Sequence, residues 1–161
     1  MERTTGHVEV FNDNLIPALN QIKELAPTNF LVSVDTEFPG DPMGRTRWDQ
    51  GRRQEAYQEM KRNVDATNMV TLGISLSDND GRRDAIHTFN FNMRFDLDHE
   101  VYEPSSIEFL REHGIDFERL KEEGCDQKQV VEGLRILMCD KNRKWISFHG
   151  SVLFFVLKAK N

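Results

Sequence analysis

Two carboxylates follow directly on an apolar segment of the sequence. Residues 30–34 are Phe-Leu-Val-Ser-Val, Asp35 and Glu37 come next with a threonine between them, and a Pro-Gly pair stops the segment. Such a segment predicts a buried strand that ends in a turn. Because side chains alternate along a strand, we expect both carboxylates on one face, roughly 6.5 Å apart along the chain.

Two acids on one face of an apolar strand are costly to desolvate unless a positive group meets them. A divalent metal ion meets this need well, because hard cations prefer carboxylate oxygens. An ordinary ion pair with a nearby lysine or arginine meets it too, since paired acids often serve structure. The spacing of Asp35 and Glu37 therefore predicts either a metal site or a structural ion pair.

An arginine-rich loop comes after the two acids. It extends roughly over residues 41–53 and contains four arginines and a tryptophan: Arg45, Arg47, Trp48, Arg52 and Arg53. Guanidinium groups bind phosphate and an indole ring stacks on a base, so the loop is a candidate RNA contact. A solvated loop with its tryptophan packed on the surface explains the same residues equally well.

The composition restricts the class of protein. With 161 residues the chain is expected to form one domain, residues 1–161, with a real core. Its 38% apolar and 30% charged residues argue against wholesale disorder. A net charge of −6 gives no overall nucleic-acid footprint, so RNA binding would need a local basic patch or metal ions.

The cysteines and the apolar runs bear on the compartment. Cys125 and Cys139 lack the spacing of metal ligands and are expected to be free thiols in a reducing compartment. The start of the chain has no apolar core of a signal peptide, and no apolar run reaches membrane-spanning length. We therefore expect no membrane partner.

Apolar periodicity predicts an α/β domain with a mixed sheet. Helices are expected over 13–26, 54–66, 105–113 and 126–138, and strands over 30–38, 70–76, 85–91 and 145–149. Ser105 and Glu108 form a predicted capping box, and Asp126 is a predicted N-cap. The apolar stripes of the last three helices are expected to consist of Tyr57, Met60 and Val64, then Ile107, Phe109 and Leu110, then Val130, Leu134, Leu137 and Met138.

Residues 34–40, Val-Asp-Thr-Glu-Phe-Pro-Gly, resemble the first exonuclease motif of the DEDD-type deadenylases. The chain is most similar to the Ccr-associated factor (Caf/Pop) subunit of the Ccr–Not complex. Further stretches agree in the same order and cover nearly the whole chain: 63–65 (Asn-Val-Asp), 72–76 (Leu-Gly-Ile-Ser-Leu), 89–91 (Phe-Asn-Phe), 106–107 (Ser-Ile), 114–117 (Gly-Ile-Asp-Phe) and 145–149 (Trp-Ile-Ser-Phe-His).

This resemblance implies a ribonuclease H-like fold, a mixed sheet flanked by helices whose central strand carries the first two acids. It implies a magnesium-dependent enzyme that removes messenger-RNA poly(A) tails from the 3′ end. Asp35 and Glu37 are then expected to be catalytic residues that bind Mg²⁺. The implied partners are poly(A) mRNA and subunits of the Ccr–Not complex, and the implied location is the nucleus and cytoplasm.

The sequence departs from the family pattern near its end. The family uses four acids, and the third follows the Trp-Ile-Ser-Phe-His run in a Tyr-Asp-Phe context. Phe154 stands at that phenylalanine and Leu153 at the position of the aspartate. The fourth acid and a late histidine are expected beyond Asn161, and His149 is not expected to replace that histidine. The chain is therefore expected to be a C-terminally truncated or divergent member, incomplete in its fold.

Two alternatives to an active exonuclease stay open. A non-catalytic relative would bind Ccr–Not partners or RNA and regulate message turnover or transcription, which the missing third and fourth acids favour. A partial chain would not fold stably alone.

Overall fold

Five strands and five helices are formed by residues 6–44, 51–80 and 86–148, which a computed structural model of the chain describes. The strands are β1 (Gly6–Val10), β2 (Leu31–Glu37), β3 (Thr71–Ser77), β4 (His87–Asn92) and β5 (Lys144–Ser147). The helices are α1 (Leu15–Leu25), α2 (Arg53–Ala66), α3 (Pro104–Glu112), α4 (Phe117–Glu123) and α5 (Gln127–Met138). In these ranges we find no helix with the length and apolar character that crossing a bilayer requires.

The strands form one mixed sheet in the order β1-β4-β3-β2-β5. β3 is antiparallel to both β2 and β4, whereas β1 is parallel to β4 and β5 is parallel to β2. β2 therefore lies inside the sheet. Its residue Asp35 pairs with Gly73 of β3, and Val34 pairs with Ser147 of β5.

One face of the sheet carries the main hydrophobic core. Alternate residues of the three middle strands are buried there: Val32, Val34, Leu72, Ile74, Leu76, Phe89 and Phe91. Helices α1, α2 and α5 pack against them with their apolar stripes. In α1, for example, Leu15, Leu19 and Ile22 recur at helical spacing and are all buried, as the periodicity predicts.

The opposite face of the sheet is polar. Ser33, Asp35 and Glu37 of β2 alternate with the buried residues and are exposed. Across β3 and β4 the hydroxyl groups of Ser75 and Thr88 hydrogen-bond at 2.8 Å. A sheet with one packed and one polar face shows the alternation that half-buried strands require.

A second core cluster lies where β1, β3 and β4 meet α3 and α4. Ile107 and Leu110 of α3 and Phe117 and Leu120 of α4 pack against residues flanking the strands, Phe11, Val70 and Phe95. The ring centroids of Phe95 and Phe117 are 5.8 Å apart in an edge-on arrangement. This cluster fixes α3 near the end of β2, where the two carboxylates lie.

The predicted α/β class is confirmed, with differences in detail. Asp126 caps α5 as predicted, accepting a hydrogen bond from the backbone N–H of Gln129 at 2.9 Å. The Ser105–Glu108 capping box is wrong: α3 begins at Pro104, and the Ser105 hydroxyl donates instead to Glu103 Oε1 at 3.2 Å. Tyr57 and Met138, predicted to face the core, are each 40% exposed.

Candidate active site

The strand β2 positions the two carboxylates. Asp35 and Glu37 are two residues apart on the polar face and both are exposed. Their neighbours in β3 are Gly73 opposite Asp35 and Thr71 opposite Glu37. Because β2 is bonded on both sides over residues 31–34 and continues in register with β3 to Glu37, the backbone under both acids is fixed.

The two carboxylates are not neutralised by a basic side chain in the part of the chain that the structure describes. Asp35 Oδ1 accepts a hydrogen bond from the adjacent Thr36 backbone N–H, at 3.0 Å. Partial burial raises the pKa of Glu37, and the negative charge of Asp35 raises it further, while His113 opposes the shift. Within the described ranges, the structural ion pair considered from the sequence is therefore not formed.

An unneutralised pair of carboxylates on a fixed strand fits a hard divalent cation. Mg²⁺ is commonly bound by one or two carboxylates and keeps several of its waters. Among the described residues no group of three or more histidine, cysteine, aspartate or glutamate side chains is placed to hold a metal. In these ranges Asp35 and Glu37 are thus a pair of carboxylates and not part of a larger group of such side chains.

The turn after β2 is fastened to the start of α3. The Glu103 backbone N–H donates to the Pro39 carbonyl at 2.8 Å, and the Asp41 backbone N–H donates to Glu103 Oε2 at 3.2 Å. Gly40 has a φ of +90°, and a Cβ there would lie 2.3 Å from the Ser106 hydroxyl. Only glycine allows this close approach without strain.

Asn63 of α2 holds the next part of the same loop. Its side chain is buried, accepts from the Met43 backbone N–H at 2.9 Å, and donates to the Gly44 carbonyl at 2.9 Å. Asn63 is the first residue of the Asn-Val-Asp stretch that supports the resemblance. Its side chain holds the loop that follows β2 in place.

A cleft of about 760 Å³ lies between this loop and α3. Glu37 stands in its wall. The other lining residues come from the loop and from the stretch leading through α3: Phe38, Asp41, Pro42, Gly44, Tyr102, Glu103, Pro104, Ser105, Ser106, Phe109 and Leu110. One of the two acids thus opens onto a concavity large enough for a nucleotide-sized ligand.

The prediction that Phe109 is buried was wrong. This residue was expected to share the buried stripe of Ile107 and Leu110, but it is 55% exposed and lines the cleft. The spacing contains the signal, because Phe109 precedes Leu110 by one residue and so points away from the stripe by about 100°. His113, one turn further along, stacks on it with ring centroids 4.0 Å apart.

The predicted RNA-contact residues are only partly described. Arg45, Arg47 and Trp48 lie outside the described residues, as do His149, Leu153 and Phe154. Arg52 and Arg53 stand at the start of α2, and Arg52 forms ion pairs with Glu55 at 2.5 Å and Glu59 at 3.4 Å. Neither arginine lines the Glu37 cleft.

The mixed sheet, with two unneutralised acids at the end of an inner strand and a cleft beside Glu37, is that of an α/β domain of ribonuclease H-like fold. The chain belongs to the CAF1 ribonuclease family, whose family model matches residues 10–132. This confirms the family and the fold that the sequence resemblance implied.

Two relatives show how far the similarity extends. The chain is 36% identical over 163 residues to "Probable CCR4-associated factor 1 homolog 7" of Arabidopsis thaliana, covering 93% of this chain and 58% of that protein. It is 34% identical over 158 residues to "Poly(A) ribonuclease pop2" of Schizosaccharomyces pombe, covering 94% of this chain and 46% of that protein. The chain therefore spans about half the length of these curated relatives.

Solved structures agree with the fold. The structure of S. pombe Pop2p in its Mg²⁺- and Mn²⁺-bound form matches with a TM-score of 0.83 and 32% identity, over 95% of this chain and 62% of that one. A yeast CAF1 co-crystallised with the NOT1 MIF4G domain matches with a TM-score of 0.69 and 30% identity, over 95% of this chain and 57% of that one.

Proposed function

We propose that this chain carries the metal-binding part of a 3′→5′ exoribonuclease site for poly(A), and that it acts within the Ccr–Not complex in the nucleus and cytoplasm. The observation that carries the proposal is the pair Asp35 and Glu37, held on one face of an inner strand beside a cleft. Membership of the CAF1 ribonuclease family, and the name of the related Poly(A) ribonuclease pop2, support the substrate.

The residues have distinct roles in this proposal. Asp35 and Glu37 hold a divalent ion, as the Mg²⁺- and Mn²⁺-bound form of the related Pop2p suggests. When bound, such an ion lowers the pKa of a water molecule and offsets the charge of the phosphodiester. The cleft admits the 3′ end of the RNA next to Glu37, and the fastening of Gly40 to α3 keeps the cleft walls in place.

Shortening of a 5′-labelled poly(A) oligomer tests this proposal directly. We expect stepwise loss of nucleotides from the 3′ end in Mg²⁺, none in EDTA, and none with Asp35→Ala or Glu37→Gln, because each variant removes one of two ligands. An oligomer blocked at its 3′ end should resist the enzyme. Equal shortening by the native chain and by Asp35→Ala would refute the assignment and point to a contaminating nuclease.

A second candidate is a non-catalytic relative that binds Ccr–Not subunits or RNA. It is favoured by the small number of acids, since the described residues offer two ligands and Leu153 stands where the resemblance places a third. Two divalent ions about 4 Å apart repel by roughly 17 kcal/mol at an effective dielectric of about 20. Two carboxylates offset this poorly, whereas they suffice for a single ion.

Metal titration separates the two candidates. One divalent ion bound per chain, lost in Glu37→Gln, together with no shortening of poly(A), would support the non-catalytic relative. Recovery of NOT1 with the tagged chain would support either candidate, since a yeast CAF1 has been co-crystallised with the NOT1 MIF4G domain. Failure to recover any Ccr–Not subunit would count against the proposed partnership in both.

A further inference from the structure

Phe109 is the exposed aromatic side chain of the Glu37 cleft. It is 55% exposed, whereas Phe38 and Tyr102, the other aromatic residues of the wall, are half-buried against the two core clusters. A large apolar ring that stays open to a concave site, on a helix fixed by its own buried stripe, is the kind of surface that a planar ligand covers. Phe109 therefore has a free ring surface where a ligand would enter.

His113 fixes the ring of Phe109 from one side. The two residues are four positions apart on the same face at the end of α3, with ring centroids 4.0 Å apart and ring planes inclined by 32°. His113 Nδ1 lies 2.8 Å from the Phe109 carbonyl oxygen, and a carbonyl only accepts, so Nδ1 carries the hydrogen. The stacked pair is thus a pre-organised platform.

This platform lies beside the carboxylates. Phe109 and Glu37 line the same cleft, and His113 stacks on Phe109 at that wall. An enzyme that removes the last nucleotide must bring the final phosphodiester to Asp35 and Glu37. The 3′-terminal base is attached to the ribose that follows this phosphodiester, so the base must lie close to the carboxylates as well.

We propose that Phe109, positioned by His113, is the surface on which the 3′-terminal base of the RNA stacks. This inference rests on the proposed function and adds the contact that seats the end of the substrate. Stacking tolerates any base, because each has a π-face, and purines offer the larger one. The contact therefore favours an adenine end without reading its hydrogen-bonding edge.

Binding of intact and abasic RNA ends tests the platform. The probe is a 5′-labelled oligo(A) whose last linkage is a phosphorothioate, compared with the same oligomer lacking its 3′-terminal base, by fluorescence anisotropy in Mg²⁺. We expect Phe109→Ala to bind the intact oligomer roughly 10-fold more weakly and the abasic one unchanged. Phe109→Trp should retain binding, Phe109→Leu should be intermediate, and Ile136→Ala, exposed on α5 outside the cleft, should match the native chain.

The role of His113 needs its own readout. His113→Ala should reduce the discrimination between intact and abasic oligomers, because the Phe109 ring loses its support. His113→Asn keeps an N–H that can donate to the Phe109 carbonyl and should restore part of that discrimination. Equal loss of binding to both oligomers in His113→Ala would show that the histidine does not act through the base contact.

The possible outcomes separate this inference from the proposed function. If Asp35→Ala loses binding or activity while Phe109→Ala and Phe109→Leu discriminate the two oligomers as the native chain does, the platform is refuted and the metal site stands. If the native chain binds no oligo(A) and Asp35→Ala behaves identically, both fail. Because Phe109 is exposed, its variants should keep the native circular dichroism, and Phe109→Leu decides the matter if the alanine variant unfolds.

Discussion

Glu37 stands in an environment that disfavours its own charge. Partial burial and the neighbouring Asp35 both raise its pKa, and no described lysine or arginine compensates. Holding two like charges close together is unfavourable in the absence of a cation and favourable in its presence. Such a conflict between stability and charge is typical of a site built to receive an ion rather than to support the fold.

Replacing Glu37 by glutamine should therefore stabilise the metal-free protein at neutral pH. Folding raises the pKa of Glu37, so the folded state binds the proton of this carboxyl more tightly than the unfolded state does. The protonated carboxyl therefore favours the folded state at low pH. This contribution to stability is lost as the pH rises through the folded pKa. We expect Glu37→Gln to gain about 0.5 kcal/mol or less at pH 7, because solvent screens the exposed pair. The gain should vanish well below the ordinary glutamate pKa of 4.5.

Thermal unfolding in EDTA at several pH values measures this effect. Glu122→Gln is a matched control, since Glu122 is exposed on α4 and makes no hydrogen bond or ion pair with the described residues. Added Mg²⁺ should raise the melting temperature of the native chain and not that of Glu37→Gln. A lower melting temperature for Glu37→Gln at pH 7 without metal would contradict the repulsion between the two acids.

The carboxylates could be predicted from the sequence, but the cleft could not. Asp35 and Glu37 follow from alternation along a strand, which is a local property. The residues facing Glu37 across the cleft belong to the stretch from Tyr102 to Leu110 and meet it only through tertiary packing. Arg52 shows the same limit, since its pairing with Glu55 and Glu59 depends on where α2 begins.

The turn that follows β2 and contacts the start of α3 depends on Gly40. An alanine there meets two separate costs, a left-handed backbone and an overlap with Ser106 and Glu103. Gly44 provides the matched control, because its φ is +107° and nothing lies within 4 Å of its Cβ position. The difference between the two alanine variants isolates the close contact that fastens the loop to α3.

We expect Gly44→Ala to cost about 1–2 kcal/mol of unfolding free energy, for the left-handed conformation alone. Gly40→Ala should lose about 1–3 kcal/mol more, which is the usual cost of forcing extra atoms into a packed site. Urea unfolding of the native chain and both variants gives these values. Equal losses in the two variants would show that the contact between the turn and α3 is not tight.

The helices and strands that could be predicted from the sequence are those with a capping residue or a regular apolar periodicity. α5 has a capping aspartate and a regular stripe, and α1 has four buried positions at helical spacing. β1 and α4 were not predicted, because a five-residue strand and a seven-residue helix carry too few periodic positions. The capping box at Ser105 failed because Glu103 uses its carboxylate to bind the two serines and the Asp41 N–H.

The two faces of the sheet have different roles: one packs against helices, and the other carries the two carboxylates. Its apolar face carries α1, α2 and α5, while its polar face presents Asp35 and Glu37 together with serine, threonine and asparagine side chains. Across β1 and β4, Asn90 donates to Glu9 Oε2 at 2.9 Å, which satisfies polar groups on that face without burial. The fold can thus hold unneutralised acids on one side of a stable core, because the two faces share only the backbone.

The net charge of −6 bears on how the proposed binding of RNA could occur. At physiological salt the Debye length is about 8 Å, so distant acids neither attract nor strongly repel the chain of phosphates. Binding must come from bound metal and from local cations. In the described part of the protein Arg52 is engaged by two glutamates, whereas Arg53 makes no ion pair there and stands at the N-terminus of α2.

Arg53 should therefore contribute more to RNA binding than Arg52. A cation at a helix N-terminus opposes the helix dipole, and a phosphate beside it would reverse that penalty. For a single strand, each phosphate neutralised by a cation contributes about 0.7 to the slope of log affinity against log salt. We expect Arg53→Ala to reduce this slope by about 0.7, and Arg52→Ala to reduce it by clearly less because its charge is already compensated.

Anisotropy titrations of labelled oligo(A) over a range of NaCl concentrations at constant Mg²⁺ measure the three slopes. Glu55→Gln is an informative further variant, because it removes one of the two glutamates that pair with Arg52. The freed guanidinium group can then contact a phosphate, so log affinity should fall more steeply with log salt than in the native chain. Identical slopes for the native protein, Arg52→Ala and Arg53→Ala would place the phosphate contacts elsewhere. In that case an acidic protein would bind poly(A) through the ion at Asp35 and Glu37 and through stacking, and its affinity would depend on Mg²⁺ far more than on NaCl.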